Sequence, residues 1–357
     1  EWNSMELIGS LVTLGGILSI TYFLFRRLVL ERSYKEMKGK TVVITGCDTG
    51  FGRETAVRLV KEGCTVLAGC LQADSLLSLP NEVGSLSAQM IALPLDLTDD
   101  ASIDTFVNSI EEHLRSRSPA ANGEADKVKK VCKVGLDGFV SNSGVFAAGS
   151  FEWMSKPDIR RVFEINTFGS MELTKRLAPL LDKAGGRLVS MSSVSAVVHG
   201  PMLSLYGASK AALDNYHSAI RTETQRKFSV HLILPGGFKT PLLNAQLDGT
   251  LRRHWNSTPT SVQSDFGNTF FETFRQNWVT GVAYYADERT SWVVNNVIHA
   301  LFAAHPRDRY YTGRDALILF APLTFAPTWL QDVVLRLCNY RFYRGADGKY
   351  VKMARSG

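Results

Sequence analysis

The chain has 357 residues, 45% of them hydrophobic and 21% charged, with a formal net charge of +6. That length accommodates one large domain or two, and the composition excludes a disordered or fibrous chain. The positive balance is modest and is concentrated behind one apolar segment (Arg26, Arg27, Arg32, Lys35, Lys38, Lys40), which suits a membrane surface and gives no reason to expect a nucleic-acid partner.

Residues 1–6 read as an N-terminal remnant ahead of the first element. Residues 7–25, LIGSLVTLGGILSITYFLF, form a run of 19 without a formal charge. As a helix rising about 1.5 Å per residue it nearly spans a hydrocarbon core of about 30 Å, which predicts a single-pass transmembrane anchor rather than a buried core helix. A cleaved signal peptide would carry positive charge before the apolar run. Here Glu1 and Glu6 precede it and Arg26 and Arg27 follow, so the positive-inside rule places the body of the protein on the cytosolic face. Residues 26–39 then form a basic linker.

From Thr41 onward, β-rich runs alternate with helical patterns. Strands are predicted at 41–45, 65–69, 89–93, 136–141, 186–191 and 229–234, and helices near 51–62, 101–115, 158–181 and 207–227. Runs that are apolar throughout, alternating with helices, predict an α/β fold with a parallel sheet covered on both faces. Residues 115–130, RSRSPAANGEADKVKK, are poor in apolar side chains and read as a surface insertion. The five cysteines (Cys47, Cys64, Cys70, Cys132, Cys338) show no CxxC and no metal-ligand spacing. They predict reduced thiols and no metal site.

Two constellations carry chemistry. In TGCDTGFG, residues 45–52, Gly46, Gly50 and Gly52 lie between the first strand and the helix after it. Such a turn offers free backbone N–H groups at the positive end of a helix, a diphosphate site. No GK[ST] comes after it, so it is not a Walker loop. Further on, Ser193 ends the fifth strand region, with Tyr206 and Lys210 after it at a spacing that places both on one helix face. An ammonium beside a phenol favours the phenolate, and such a tyrosine exchanges a proton with an alcohol oxygen that a serine hydroxyl holds in place. Tyr34 and Lys38 show the same spacing without that context.

On these motifs the chain resembles the short-chain dehydrogenases/reductases over roughly residues 40–320. Thr45 to Gly52 matches the family's TGxxxGxG, with Phe51 inside it, and Ser193, Tyr206 and Lys210 match its Ser…Tyr-x-x-x-Lys set. Asn166 in FEINTFG matches the family's helix asparagine, whose bent backbone holds a water linking the lysine to solvent. Asn142 in SNSG stands where the family has NNAG, Ser141 and Ser143 departing from that pattern. Asp96 in LPLDLT matches the acid that touches adenine. Pro235, Gly236 and Thr240 in PGGFKTP match the loop that flanks nicotinamide.

The resemblance implies a Rossmann-like doubly wound sheet and hydride exchange between a nicotinamide and an alcohol. It assigns Tyr206 as acid/base, Lys210 to the ribose, Ser193 to the substrate oxygen and Asn166 to the proton relay. More narrowly, TGCDTGFG, VLAGCL and PGGFKT resemble the membrane-associated branch of retinol, 17β- and 11β-hydroxysteroid and 3-hydroxybutyrate dehydrogenases. That branch implies a lipophilic alcohol or its carbonyl partner as substrate, endoplasmic-reticulum membrane as location with the mitochondrial inner membrane as alternative, and a possible homodimer.

The cofactor reading favours NAD over NADP. The predicted second strand ends Gly69-Cys70-Leu71 with neither acid nor base, and Arg53, after the last glycine, either serves a phosphate or is a surface helix arginine. After Thr240 the pattern changes. Residues 241–300 are read as the substrate-loop region, in which 266–278 is amphipathic and rich in aromatics. Residues 321–357 are read as an apolar, membrane-associated C-terminal segment, where Pro322 and Pro327 argue against a second spanning helix. His199 either lines the pocket or lies exposed in its loop. Two alternatives to a lipophilic-alcohol enzyme stay open: a small hydroxy-acid dehydrogenase, and an inactive cofactor-binding scaffold. Arg252, Arg253 and Arg275 are the cations that would serve a carboxylate substrate if they turned inward.

Overall fold

The computed structural model describes residues 13–18, 21–22, 25–117, 135–223, 227–244 and 246–340. Within them the chain runs β1 (Thr41–Thr45), α1 (Gly50–Lys61), β2 (Thr65–Cys70), α2 (Ala73–Asn81), β3 (Met90–Pro94), α3 (Asp100–Ser116) and β4 (Gly138–Ser141). It continues through α4 (Lys156–Phe163), a π-turn (Glu164–Phe168), α5 (Gly169–Ala184), β5 (Arg187–Met191), α6 (Ser204–Thr222) and β6 (Ser229–Pro235). The last third holds α7 (Pro241–Asn244), α8 (Leu247–Ser257), α9 (Thr260–Phe266), α10 (Asn268–Tyr285), α11 (Ser291–Phe302), β7 (Arg309–Thr312), α12 (Ala321–Leu323) and α13 (Thr328–Tyr340).

The seven strands form one sheet in the order β3-β2-β1-β4-β5-β6-β7, and every pairing is parallel. Strand β1 is buried at every position, so its alternate side chains serve two cores. Val42 and Ile44 join α1 and α11 on one face through Leu59, Val60, Val297 and Leu301. Val43 joins α3 and α5 on the other through Phe106, Ile110, Leu173 and Leu177. Burial on both faces explains why the strand sequences read as unbroken apolar runs. The chain order reverses between β1 and β4, and the crevice beyond the strand ends at that point is where ligands bind in open α/β sheets.

The six predicted strands are present with boundaries shifted by a residue or two. The seventh, RYYT, is four residues long and begins with a charge, too short and too polar to stand out as a strand. The helix predicted at 158–181 is two helices about a π-turn, entered through Ser155, whose Oγ accepts from Asp158 N at 3.2 Å. Helix α5 stops at Gly185, which takes a left-handed conformation at φ 62°. The predicted insertion begins as the last residues of α3 and its C-cap Arg117, and residues 118–130 lie outside the described residues, as does Cys132. Cys47, Cys64 and Cys70 are buried free thiols.

The anchor predicted at 7–25 falls in large part outside the described residues, though 13–18 and 21–22 are helical. Among the described residues no helix is long and apolar enough to cross a membrane. The basic linker predicted at 26–39 is bonded to the domain. Glu31 is buried and accepts from Arg307 Nε at 2.8 Å, His299 Nε2 lies 3.0 Å from the Glu31 carbonyl, and Lys35 N donates to Phe302 O at 2.7 Å.

Candidate active site

A cavity of about 660 Å³ opens beyond the C-terminal ends of the strands, and both constellations of the sequence meet in it. One end is the glycine turn. Gly46 and Gly50 take φ of 69° and 60°, values that carry strain for any side chain. A Cβ on Gly52 would lie 2.3 Å from Gly46 O and 2.5 Å from Asn142 Nδ2. Asn142 braces this turn, its Nδ2 donating to Thr45 O at 2.9 Å and Gly46 O at 3.1 Å. Helix α1 starts at Gly50 with no side-chain cap and no acid in its first turn, so its leading N–H groups are left for an anion. The Phe51 ring packs edge-on against Phe238, with centroids 5.6 Å apart, which ties the turn to the loop after β6. The loop residues Pro235, Gly236 and Thr240 line the same cavity.

The other end is the Ser193–Tyr206–Lys210 cluster. Ser193, Tyr206 and Lys210 all line the cavity and all are buried. The phenol of Tyr206 is pushed up to about 12 by burial, opposed by a hydrogen bond with Ser193. Lys210 does not offset that burial in the protein alone. The ammonium is itself pulled down to about 8 by burial, and it donates to Met191 O at 3.0 Å, so it is a weakened cation directed to a carbonyl. The phenol therefore keeps its proton in the protein alone.

Asn166 does not line the cavity. It is fully buried on the π-turn, with Oδ1 accepting from Val145 N at 2.7 Å and Nδ2 donating to Val145 O at 2.9 Å and Ser209 Oγ at 3.0 Å. It nonetheless adjoins the site: a Cβ on Gly144 would sit 3.2 Å from both Asn166 Oδ1 and Lys210 Nζ. Asp96 is not brought to the cavity either, since its Oδ1 accepts from Thr98 N at 2.8 Å and Thr98 Oγ1 at 2.7 Å within its own turn. His199 is exposed, with Nε2 3.0 Å from Asp332 Oδ1. Arg53 does not face the cavity, because its Nε donates to Glu82 at 2.9 Å and its Nη2 to Ser78 Oγ at 3.1 Å.

The substrate side is apolar. The Phe146 ring lies 4.9 Å from that of Tyr206, and Trp278, Leu203, Leu243 and Phe320 extend the wall. Of the aromatic stretch 266–278, Trp278 alone among the described residues lines the cavity. Phe266, Phe270, Phe271 and Phe274 are buried with Trp153 and Trp255 in a core that Trp278 joins to the cavity wall. Sequence reasoning missed Asp315, which lines the cavity and accepts from Gly237 N at 2.7 Å, holding the loop after β6. It lies 78 residues away with no motif around it.

A doubly wound sheet whose switch point joins a glycine turn to a Ser–Tyr–Lys cluster fits a nucleotide-dependent oxidoreductase. The family model described as short chain dehydrogenase matches residues 40–118 and 121–250, and the chain belongs to that family. It is an NAD(P)-dependent oxidoreductase acting on CH–OH groups. The chain is 35% identical to the 3beta-hydroxysteroid dehydrogenase dhs-16 of Caenorhabditis elegans, covering 89% of this chain and 80% of that one. It is 31% identical to retinol dehydrogenase 5 of Mus musculus, covering 90% and 94%. Among solved structures, a short chain dehydrogenase/reductase from Burkholderia phymatum in complex with NAD superposes with a TM-score of 0.61 at 19% identity, covering 87% of this chain and 97% of that one. One from Burkholderia cenocepacia in complex with NADP gives 0.58 at 18%, covering 84% and 99%.

Proposed function

We propose that the protein interconverts a lipophilic alcohol, of retinoid or hydroxysteroid type, and its aldehyde or ketone. The observation that carries this reading is the charge inventory of the cavity: among its described lining residues Lys210 is the sole Lys or Arg. The cations that would serve a carboxylate are engaged outside it. Arg252 pairs with Asp248 and Glu272, Arg275 with the same two acids, and Arg253 with Asp158. An unpaired carboxylate in such a cavity is costly, whereas an apolar ring system is stabilised by roughly 25 cal/mol per Å² of buried area. The names of the relatives, steroid and retinol dehydrogenases, agree with this reading.

The glycine turn would hold the cofactor diphosphate, with Gly46, Gly50 and the first N–H groups of α1 as donors and Asn142 as brace. Lys210 would hold the nicotinamide ribose. Bound NAD(P) supplies the hydride acceptor or donor. Ser193 orients the substrate oxygen, and Tyr206 exchanges a proton with it. The burial that holds the phenol proton suits it to protonate a carbonyl oxygen. Alcohol oxidation requires that proton to leave first. Asn166 acts by fixing the π-turn and the Val145 segment against α6.

Membrane attachment supports the same substrate class. Residues 7–25 would anchor the chain in the endoplasmic-reticulum membrane with the domain cytosolic, and α13 exposes Trp329, Val333 and Leu337 at four-residue intervals beside the cavity residues Leu335 and Cys338. The deciding experiment compares kcat/KM for a retinoid, a hydroxysteroid and 3-hydroxybutyrate with both cofactors. A lipophilic alcohol is expected to be preferred by at least 100-fold; a preference for the small acid overturns the reading.

A further inference from the structure

We infer that Asp315 biases the site toward the oxidised, positively charged form of its nicotinamide cofactor, and so toward reduction of a carbonyl. The loop after β6 walls the cavity between the glycine turn and the Ser193–Tyr206 end. On one side, Ser192 N donates to Ile233 O at 2.8 Å, which sets Pro235 and Gly236 beside Ser193. On the other, a Cβ on Gly50 would lie 3.6 Å from Thr240 Cβ. A dinucleotide with its diphosphate on the turn and its reacting ring at Tyr206 has to run along this wall. Asp315 stands against the same loop and lines the cavity with it. Gly236 N donates to Thr312 O at 2.9 Å, and a Cβ on Gly236 would collide with the Asp315 carboxylate.

Among the described residues no Lys or Arg pairs with this carboxylate. Its Oδ2 accepts from Gly237 N at 2.7 Å and its Oδ1 from Ala316 N at 2.8 Å, so both oxygens accept, the pattern of the ionised form. The neighbouring cations are committed to other acids: Arg289 and Arg314 to Asp287, and Lys239 to Glu288. Burial raises the Asp315 carboxyl, the backbone N–H groups lower it, and Asp287 raises it again. Asp48, the other acid of the lining, is held at the far end by Leu71 N and Gln72 N. A half-buried charge without a partner is relieved by a cation that arrives beside it. The reduced nicotinamide ring is neutral and the oxidised ring carries one positive charge, so this attraction exists in one redox form only. Lys210 opposes it weakly, because burial pulls its ammonium down to about 8 and it is directed to Met191 O. When hydride passes to a carbonyl carbon and the Tyr206 proton to the oxygen, the ring is left cationic. Asp315 therefore favours the product side of carbonyl reduction, the direction that the retained Tyr206 proton also serves.

The inference rests on the family assignment and is independent of the alcohol, so its test uses binding without substrate. The full-length protein in detergent is titrated with NADH, read by energy transfer from tryptophan to the reduced ring, and oxidised NAD and ADP-ribose are measured by displacing it. Oxidised NAD is expected to bind at least as tightly as NADH, and more tightly than ADP-ribose, which lacks the charged ring. Asp315→Asn should weaken oxidised NAD about 10-fold and leave NADH within about 3-fold, a shift of about 30 mV in the bound couple. Asp315→Glu keeps the charge on a longer stem; it should hold the ratio of the two affinities within about 3-fold of the parent even if both fall. The comparison in the unmodified protein decides the matter where a variant does not fold. Oxidised NAD that binds more weakly than NADH by about 10-fold or more overturns the inference. So does an Asp315→Asn that weakens both forms in parallel, since the carboxylate would then only brace the loop.

Discussion

Asn166 Nδ2 donates to Ser209 Oγ at 3.0 Å, between two fully buried side chains 43 positions apart. Ser209 in turn donates to the Tyr206 carbonyl at 2.8 Å, and it directly precedes Lys210. The π-turn is thereby fastened to the turn of α6 that carries Tyr206 and Lys210. Asn166→Ala leaves the Val145 N–H and carbonyl and the Ser209 hydroxyl without this partner, and an orphaned buried group costs about 1–3 kcal/mol. We expect a loss of about 3 kcal/mol in urea unfolding and a fall of about 100-fold in kcat/KM, since small displacements of positioned groups carry that penalty. Full activity with lowered stability would restrict Asn166 to a structural brace.

How much of this was legible beforehand depends on where the information lies in the chain. The Gly46–Gly50–Gly52 turn and the Tyr206–Lys210 pair are local patterns, and their conjunction with Ser193 and the strand rhythm singles them out. The parallel sheet is visible because strands buried on both faces cannot hide polar positions. The features that were not legible rest on contacts distant in sequence. Asp315 reaches Gly237 across 78 residues, and Arg53 finds Glu82 across 29. The aromatic run 266–278 shows the same limit. Its helical spacing says that one face is buried, and nothing in that spacing says whether the face meets a ligand or, as here, Trp153 and Trp255.

Tyr206→Phe separates chemistry from binding. The ring keeps its contact with Phe146, and the diphosphate turn is untouched. General acid–base groups contribute about 10²–10⁴-fold, so kcat should fall about 1000-fold with NADH affinity within about 3-fold. Lys210→Ala should weaken cofactor binding as well, because Lys210 lines the cavity. Stopped-flow turnover and fluorescence titration of the same preparations check both. Substantial turnover by Tyr206→Phe would move the acid/base role to another group.

Two buried histidines set an acid limit to stability. His217 is held down to about 3, chiefly by burial, and its ring contacts Ser190 Oγ at 2.8 Å and Thr174 Oγ1 at 3.1 Å. His231 is held down to about 4. The unfolded chain takes up these protons below about pH 6.5 while the folded chain refuses them. Stability therefore falls as pH drops from about 6.5 toward the folded values, by up to about 1.4 kcal/mol per pH unit for each histidine. His217→Gln, neutral throughout, should be the less stable protein at pH 8, and the gap to the parent should narrow at pH 5. Urea unfolding at pH 8, 6 and 5 measures this; a gap that does not change with pH contradicts it.

The last prediction concerns the exposed face of α13. Trp329, Val333 and Leu337 are 67%, 47% and 71% exposed, and Phe325, just before the helix, is 91% exposed. The opposite side packs Leu335 against Val198 and Leu323 beside the cavity, so the helix has one face on the domain and one without a protein partner among the described residues. An apolar, aromatic-bearing helix face of this kind lies along the boundary between headgroups and acyl chains. A substrate dissolved in the bilayer would then meet the cavity without crossing water. Replacing Trp329, Val333 and Leu337 together by serine should raise KM at least 10-fold for a retinoid or steroid presented in liposomes. It should leave kcat and the kcat/KM for a short water-soluble alcohol within about 3-fold, because none of the three lines the cavity. The 7–25 segment is expected to hold this variant in alkali-washed membranes as it holds the parent, so a change in KM reports the docking of the face and not attachment itself. An unchanged KM for the bilayer substrate would show that substrate reaches the site by another route.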